Sequence, residues 1–211
     1  MKKYIPSETA VIGIAMAVGL LVSGIFAAVE AKSDLQSDLV RLHILADSDS
    51  EEAQQLKIAV RDALLEASPE LFEPYSTAEE AERSLSLHLE DIEEIAENTL
   101  REKGCGDDVH CELERIPFDE RDYGRFTVPA GEYTALRVVI GSGEGHNWWC
   151  VMYPPLCVPC AGVDMTDEEI LEKYGGELSE EEILLITESG DFEARFYLAE
   201  LWEKLFRGNE E

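Results

Sequence analysis

Twenty consecutive residues without a charge, AVIGIAMAVGLLVSGIFAAV at positions 10–29, follow a short basic start, Met1-Lys2-Lys3. A helix rises about 1.5 Å per residue, so such a run reaches about 30 Å, the thickness of the hydrocarbon core of a bilayer. The segment reads either as a signal peptide with a long apolar region or as an uncleaved membrane anchor. Val29-Glu30-Ala31 offers small residues for cleavage after Ala31. Both readings leave the basic start inside and the rest of the chain outside the cytoplasm. No cysteine precedes Cys105, which excludes a lipoprotein anchor.

The rest is acidic. The chain has 46 acids and 17 bases, a net charge of −29. The first 32 residues hold only Lys2, Lys3 and Lys32 against Glu8 and Glu30, so residues 33–211 carry −30. That surface repels a phosphate backbone and an anionic lipid headgroup alike. Nucleic-acid binding is therefore excluded, and membrane contact is expected only through residues 10–29 if they are retained. With 45% apolar and 8% aromatic residues, the chain can still build a full core.

Periodicity divides it. Val40, Leu42, Ile44 and Ala46 alternate with Arg41 and His43, a strand with one apolar and one polar side. Ser48 with Glu51 predicts a helix start, and Leu56, Ala59, Val60, Ala63 and Leu64 recur at helical spacing. Ser76 with Glu79 predicts a second, longer helix carrying Leu85, Leu89, Ile92, Ile95, Ala96 and Leu100, stopped by Gly104 and Gly106. Strands are predicted over 109–116, 125–128, 132–140 and 148–153. The expected fold class is α+β: a mixed β-sheet with two helices packed on one face, in the order β-α-α-β-β-β. The expected organisation is an export segment or anchor over 1–32 and an extracytoplasmic domain over 33–160, with 33–38 as a tether. An acidic helical extension follows over 161–211. In it, Ser179 caps one helix, and Phe192, Phe196, Ala199, Trp202 and Phe206 share a stripe of another.

The residues that could carry chemistry form no complete set. Asp47, Asp49 and Glu51 alternate like calcium ligands, but Glu52 and Ile58 stand where that loop needs Gly and Glu. They read as charges at a helix N-terminus. Gly141, Gly143 and Gly145 lead into a strand rather than a helix, so they are not a dinucleotide loop; they read as a glycine hairpin loop. Cys150 and Cys157 bracket Pro154-Pro155 and can pair across it, and Cys105 and Cys111 can pair across a glycine turn. Cys157-Val158-Pro159-Cys160 can instead serve as a zinc half-site or a redox pair. Cys150 and His146 are the nearest approach to a thiol hydrolase pair, with no orienting acid evident. No metal and no cofactor is expected. What remains is a surface: Arg41 and His43 on the polar side of a strand, Lys57 and Arg61 on one helix face, and Trp148 and Trp149 pointing to opposite sides of another strand.

Two stretches resemble a known family. Arg41 through Ser50 (RLHILADSDS), with Gln54, Leu56-Lys57 and Val60-Arg61-Asp62-Ala63, is similar to the first characteristic segment of stage II sporulation protein R. The second is Pro129-Ala130-Gly131-Glu132-Tyr133, Ala135-Leu136-Arg137, Gly141 through Cys150 (GSGEGHNWWC) and Tyr153 through Cys157. The resemblance covers residues 10–157. Asp47 stands where the family commonly has Asn, and 161–211 has no counterpart. The resemblance implies a non-enzymatic signal exported into the space between forespore and mother cell. There it would activate a membrane-embedded sporulation aspartic protease that processes a mother-cell pro-sigma factor. The residues expected to form the partner-binding surface are Arg41, His43, Asp49, Lys57, Arg61, His146, Asn147, Trp148 and Trp149.

Overall fold

Strand β1 (Val40–Leu45) turns Leu42 and Ile44 to one side and Arg41 and His43 to the other, following the alternation in its sequence. The computed structural model describes residues 8–71, 76–123, 126–156 and 175–187. In it β1 is an inner strand, and all six of its residues are buried. It lies between β5 (Gly131–Ile140), to which it is parallel, and β6 (Asn147–Tyr153), to which it is antiparallel. β2 (Val109–Phe118) pairs antiparallel with the far side of β5, giving a four-stranded mixed sheet in the order β2-β5-β1-β6. Pro117 is tolerated because β2 is an edge strand. The α+β class predicted from the sequence is the observed one.

Three helices cover the first face: α2 (Glu51–Leu71), α3 (Ala78–Leu87) and α4 (Leu89–Glu102). Val60 and Leu64, Ala81 and Leu85, and Ile92, Ala96 and Leu100 pack on Leu42, Ile44, Leu136 and Val138. The caps sit slightly later than the capping boxes predict. Ser50 Oγ accepts from the Ala53 amide at 3.1 Å at the start of α2. Thr77 Oγ1 accepts from the Glu80 amide at 3.2 Å, while a Glu80 carboxylate oxygen accepts from the Ser76 amide at 2.9 Å. The single long helix expected here is two, broken at His88, whose backbone N–H reaches the carbonyls of Ser84 and Leu85 at 3.1 Å.

The opposite face is covered as well, which the polar alternation of β1 did not predict. Helix α1 (Glu8–Asp38) brings Leu35 onto it, followed by Leu39, and both are fully buried. Helix α5 (Glu180–Thr187) adds Ile183, Leu185 and Ile186, with Leu178 just before it. A two-stranded sheet of β3 (Arg121–Asp122) and β4 (Thr127–Val128) closes the side next to Phe118. Residues 33–38, expected as a tether, are the last turns of α1. Ser179 caps α5 as predicted, accepting from the Glu182 amide at 3.3 Å. Burial raises the pKa of both Glu182 and Asp38, which meet where α5 packs on the end of α1. The aromatic stripe of 192–206 lies outside the described residues. Among the described residues no helix is long and apolar enough to cross a membrane.

If the end of α1 is core rather than tether, Leu35→Ala will lower the unfolding free energy by about 2–5 kcal/mol. Ser33→Ala, exposed two residues earlier, will stay within about 0.5 kcal/mol. Chemical unfolding followed by tryptophan fluorescence reads both, and a near-neutral Leu35→Ala would return this segment to a linker.

Candidate functional site

The two sequence segments singled out above meet at one end of the sheet. Because β5 and β6 flank β1, the connection between them is not a hairpin. It crosses the C-terminal end of β1 and runs against the loop that leads from β1 into α2. Close approach of two backbones explains the glycines. Gly141 has φ +56°, and a Cβ there would stand 2.5 Å from Asp47 Oδ1; a Cβ on Gly145 would collide with the carbonyl oxygen of Ser48.

Hydrogen bonds stitch the loops together. The Ser142 amide donates to Asp47 Oδ1 at 2.8 Å, and Ser142 Oγ donates to the Asp47 carbonyl at 2.7 Å. The Gly145 amide donates to the Ala46 carbonyl at 2.8 Å. Asp49 accepts from the His146 amide at 2.6 Å and pairs with the His146 ring. These bonds from His146 hold the Asp49 carboxyl below the usual carboxylate range. Asp47 and Asp49 therefore bind the crossing loop, where the sequence reading made them charges at a helix N-terminus. Lys57, which the sequence placed on an exposed helix face, is buried beneath the loop. Its ammonium donates to the His146 carbonyl at 2.8 Å and to Gln54 Oε1 at 2.6 Å, and burial lowers its pKa. Gln54 in turn donates to the Ser48 carbonyl at 2.9 Å. The next turn of α2 places the Arg61 guanidinium 4.4 Å over the Trp148 ring. Arg61 also pairs with Asp62 at 2.6 Å.

Arg41, His43 and Trp149 are not part of this cluster. They lie on the other face of the sheet, where β1 pairs His43 with Trp149 on one side and Arg137 on the other, and β2 sets Glu112 opposite Arg137. One row thus crosses all four strands: Trp149, His43, Arg137, Glu112. His43 stacks on Trp149 with centroids 5.8 Å apart, and Arg137 pairs with Glu112. Burial, then the charges of Arg137 and Arg41, push the His43 imidazole down to about 4. Arg41 is fully buried over the Phe118 ring at 4.0 Å. The expected surface role of Arg41 and His43 does not hold in this conformation, because α1, α5 and the β3–β4 sheet make their side of the strand an interior. Asn147 is half-buried at the start of β6, opposite Leu45. Both tryptophans are half-buried, each beneath an arginine: Trp148 under Arg61, Trp149 under Arg121 at 3.9 Å.

The cysteine options narrow. Cys105 and Cys111 are free thiols, so they do not pair with one another. Cys111 is buried against the helix layer, and burial pushes its thiol up to about 12. Cys150 is disulfide-bonded and buried, so it is no thiolate nucleophile for His146, whose ring faces Asp49. Cys157 and Cys160 lie outside the described residues. Among the described residues no group of three His, Cys, Asp or Glu side chains is placed to hold a metal.

Residues 36–162 match the family profile described as stage II sporulation protein R. This stretch begins in the last turn of α1 and contains both the loop clamp and the cross-strand row. The chain belongs to the stage II sporulation protein R family. It is also similar to "Stage II sporulation protein R" of Bacillus subtilis (strain 168), 40% identical over 118 residues, which is 56% of this chain and 53% of that protein. The chain thus spans about half the length of the curated relative it matches. No solved structure matches it.

Arg121, Tyr123 and Phe118 were not visible as partners of Arg41 and Trp149 in the sequence. Their spacing to β1 is long-range, and nothing local marks it.

Two measurements probe this region. Gly145→Ala will cost about 1–3 kcal/mol, because the obstructing atom is backbone. Gly106→Ala, with open space around it, will stay near zero. The lowered His43 pKa gives stability that is full above about pH 6.5 and is lost as pH falls toward 4, since the unfolded chain takes up that proton first. Between pH 7 and 4 this amounts to about 3 kcal/mol. His43→Gln will show a correspondingly shallower loss in pH-dependent unfolding, and an unchanged slope would contradict the burial of a neutral imidazole.

Proposed function

We propose that this chain is an exported signal of endospore formation that acts by docking, activating a membrane-embedded aspartic protease that processes a mother-cell pro-sigma factor. Family membership carries the reading. The charge-free run at 10–29 supports export, and the acidic bulk fits a domain that avoids lipid and nucleic acid. The polar chemistry of the two loops is spent on holding them together, which is what a binding surface needs and a hydrolytic centre does not supply. Activation by docking requires the domain to bind the active state of its partner better than the inactive one. The loop clamp supports this by presenting His146, Asn147, Trp148 and Arg61 in a fixed arrangement. Trp148 and Arg61 are the residue types that most often dominate interface energies.

The test is reconstitution. The chain is added from outside to membranes bearing the candidate protease and its pro-sigma substrate, and cleavage is followed. A rise in processing is expected, and none would overturn the reading. Trp148→Ala together with Arg61→Ala is expected to reduce that rise at least tenfold. In sporulating cells, deletion of residues 10–29 will abolish processing while the same deletion added from outside still supports it.

A further inference from the structure

A second cluster lies on the opposite face of the sheet from the loop clamp, where β6, β1 and the β3–β4 sheet meet. Arg41 is fully buried. Its Nη2 donates to the Tyr123 hydroxyl at 2.6 Å, and its guanidinium lies 4.0 Å from the centre of the Phe118 ring and 5.2 Å from that of Tyr133. Its Nε and Nη1 have no hydrogen-bond partner among the described residues. Neither does either ring nitrogen of His43, which is 9% exposed. Arg121 sits 3.9 Å over the other side of this group, on Trp149, and makes no ion pair among the described residues.

Among the described residues Arg41 meets the neutral rings of Phe118, Tyr123 and Tyr133 and makes no ion pair with a carboxylate. In a chain with 46 acids and 17 bases, two neighbouring arginines that meet rings rather than acids are conspicuous. A buried guanidinium is costly unless its N–H groups are satisfied and its charge is met. Aromatic faces offset part of that cost, but they accept no hydrogen bond from the free Nε and Nη1. A matching guest carries one negative charge and acceptor oxygens on a small apolar body.

We infer that Arg41 and Arg121, with His43 and Trp149 as walls, form a binding site for a carboxylate. A carboxylate fits better than a phosphate dianion, which would surrender far more hydration among Phe118, Tyr133 and Trp149. The carboxylate belongs either to a free small acid or to an acidic side chain of a bound polypeptide. The site does not depend on the protease reading, since it is defined by this chain's own residues.

The test titrates the full chain with sodium acetate, with acetyl-Ala-Asp-Ala-amide and with its Asn counterpart, each against sodium chloride at equal ionic strength. Tryptophan fluorescence and thermal unfolding are the readouts. Saturable changes are expected with a carboxylate probe and not with chloride or the Asn peptide. Arg121→Gln, at a half-exposed position, should weaken the response at least threefold, and Arg83→Gln on α3 should leave it unchanged. Saturation by the Asp peptide at lower concentration than acetate assigns the guest to a polypeptide side chain; the reverse order assigns it to a small acid. Responses indistinguishable from chloride, or a response in Arg121→Gln within threefold of the unaltered chain, would overturn the inference.

Discussion

β1 separates β5 from β6, and most of what distinguishes this molecule follows from that strand order. A chain that must pass from β5 to β6 has to cross the end of β1, where the exit loop of β1 already lies. Two backbones then share a space that side chains would fill. Gly141 and Gly145 provide the room, and Asp47 and Asp49 provide acceptors for the amides exposed by the crossing. Buried Lys57 secures the strand-entering end by bonding the His146 carbonyl. The loop after β1 and the loop before β6, both within the stretch that matches the family, are the two halves of one joint. This is why they are far apart in the chain and unusual in composition: neither half has a purpose without the other.

The same topology explains which parts of the fold were legible in the sequence. Local signals were sufficient for β1, β5 and β6 and for the buried stripes of the helices, because strand alternation and helical spacing are properties of a few neighbouring residues. They were insufficient where long-range packing decides. Arg41 and His43 alternate with Val40, Leu42 and Ile44 as solvent-facing residues would, yet Phe118, Tyr133 and Trp149 arrive from distant strands to cover them. Residues 33–38 read as a tether because Leu35 alone does not make a stripe; its partners, Ile183 and Ile186, come from the far end of the chain. Among the candidate site residues, Asp49, Lys57, Arg61, His146 and Trp148 do come together, whereas Arg41, His43 and Trp149 assemble on the other face. Residue type pointed to both groups. The parity of strand positions, which separates Trp148 from Trp149, was readable; that each would meet an arginine was not.

Electrostatics sets the two faces apart in a way that bears on function. The net charge of −29 makes an unneutralised cation rare and therefore informative. On the clamp side every base has an acceptor: Lys57 has Gln54 and a carbonyl, Arg61 has Asp62 as well as the Trp148 ring. That side is pre-arranged, so a partner meeting it would lose little side-chain freedom on binding. On the other side, among the described residues, Arg41 and Arg121 face aromatic rings and pair with no carboxylate, and His43 is kept uncharged by its surroundings. Adding a further charge there is unfavourable unless it is negative.

A domain built this way separates two tasks. The clamp can hold a fixed contact surface because its bonds are between loops that the sheet has already brought together, so little entropy remains to be lost there. The row Trp149–His43–Arg137–Glu112, with only His43 buried, runs across all four strands. Trp148 and Trp149 are consecutive on β6, and any shift of that edge strand moves both. A guest held at Trp149 and a partner held at Trp148 would therefore sit on adjacent residues of one strand, the shortest physical link the fold offers between its two faces.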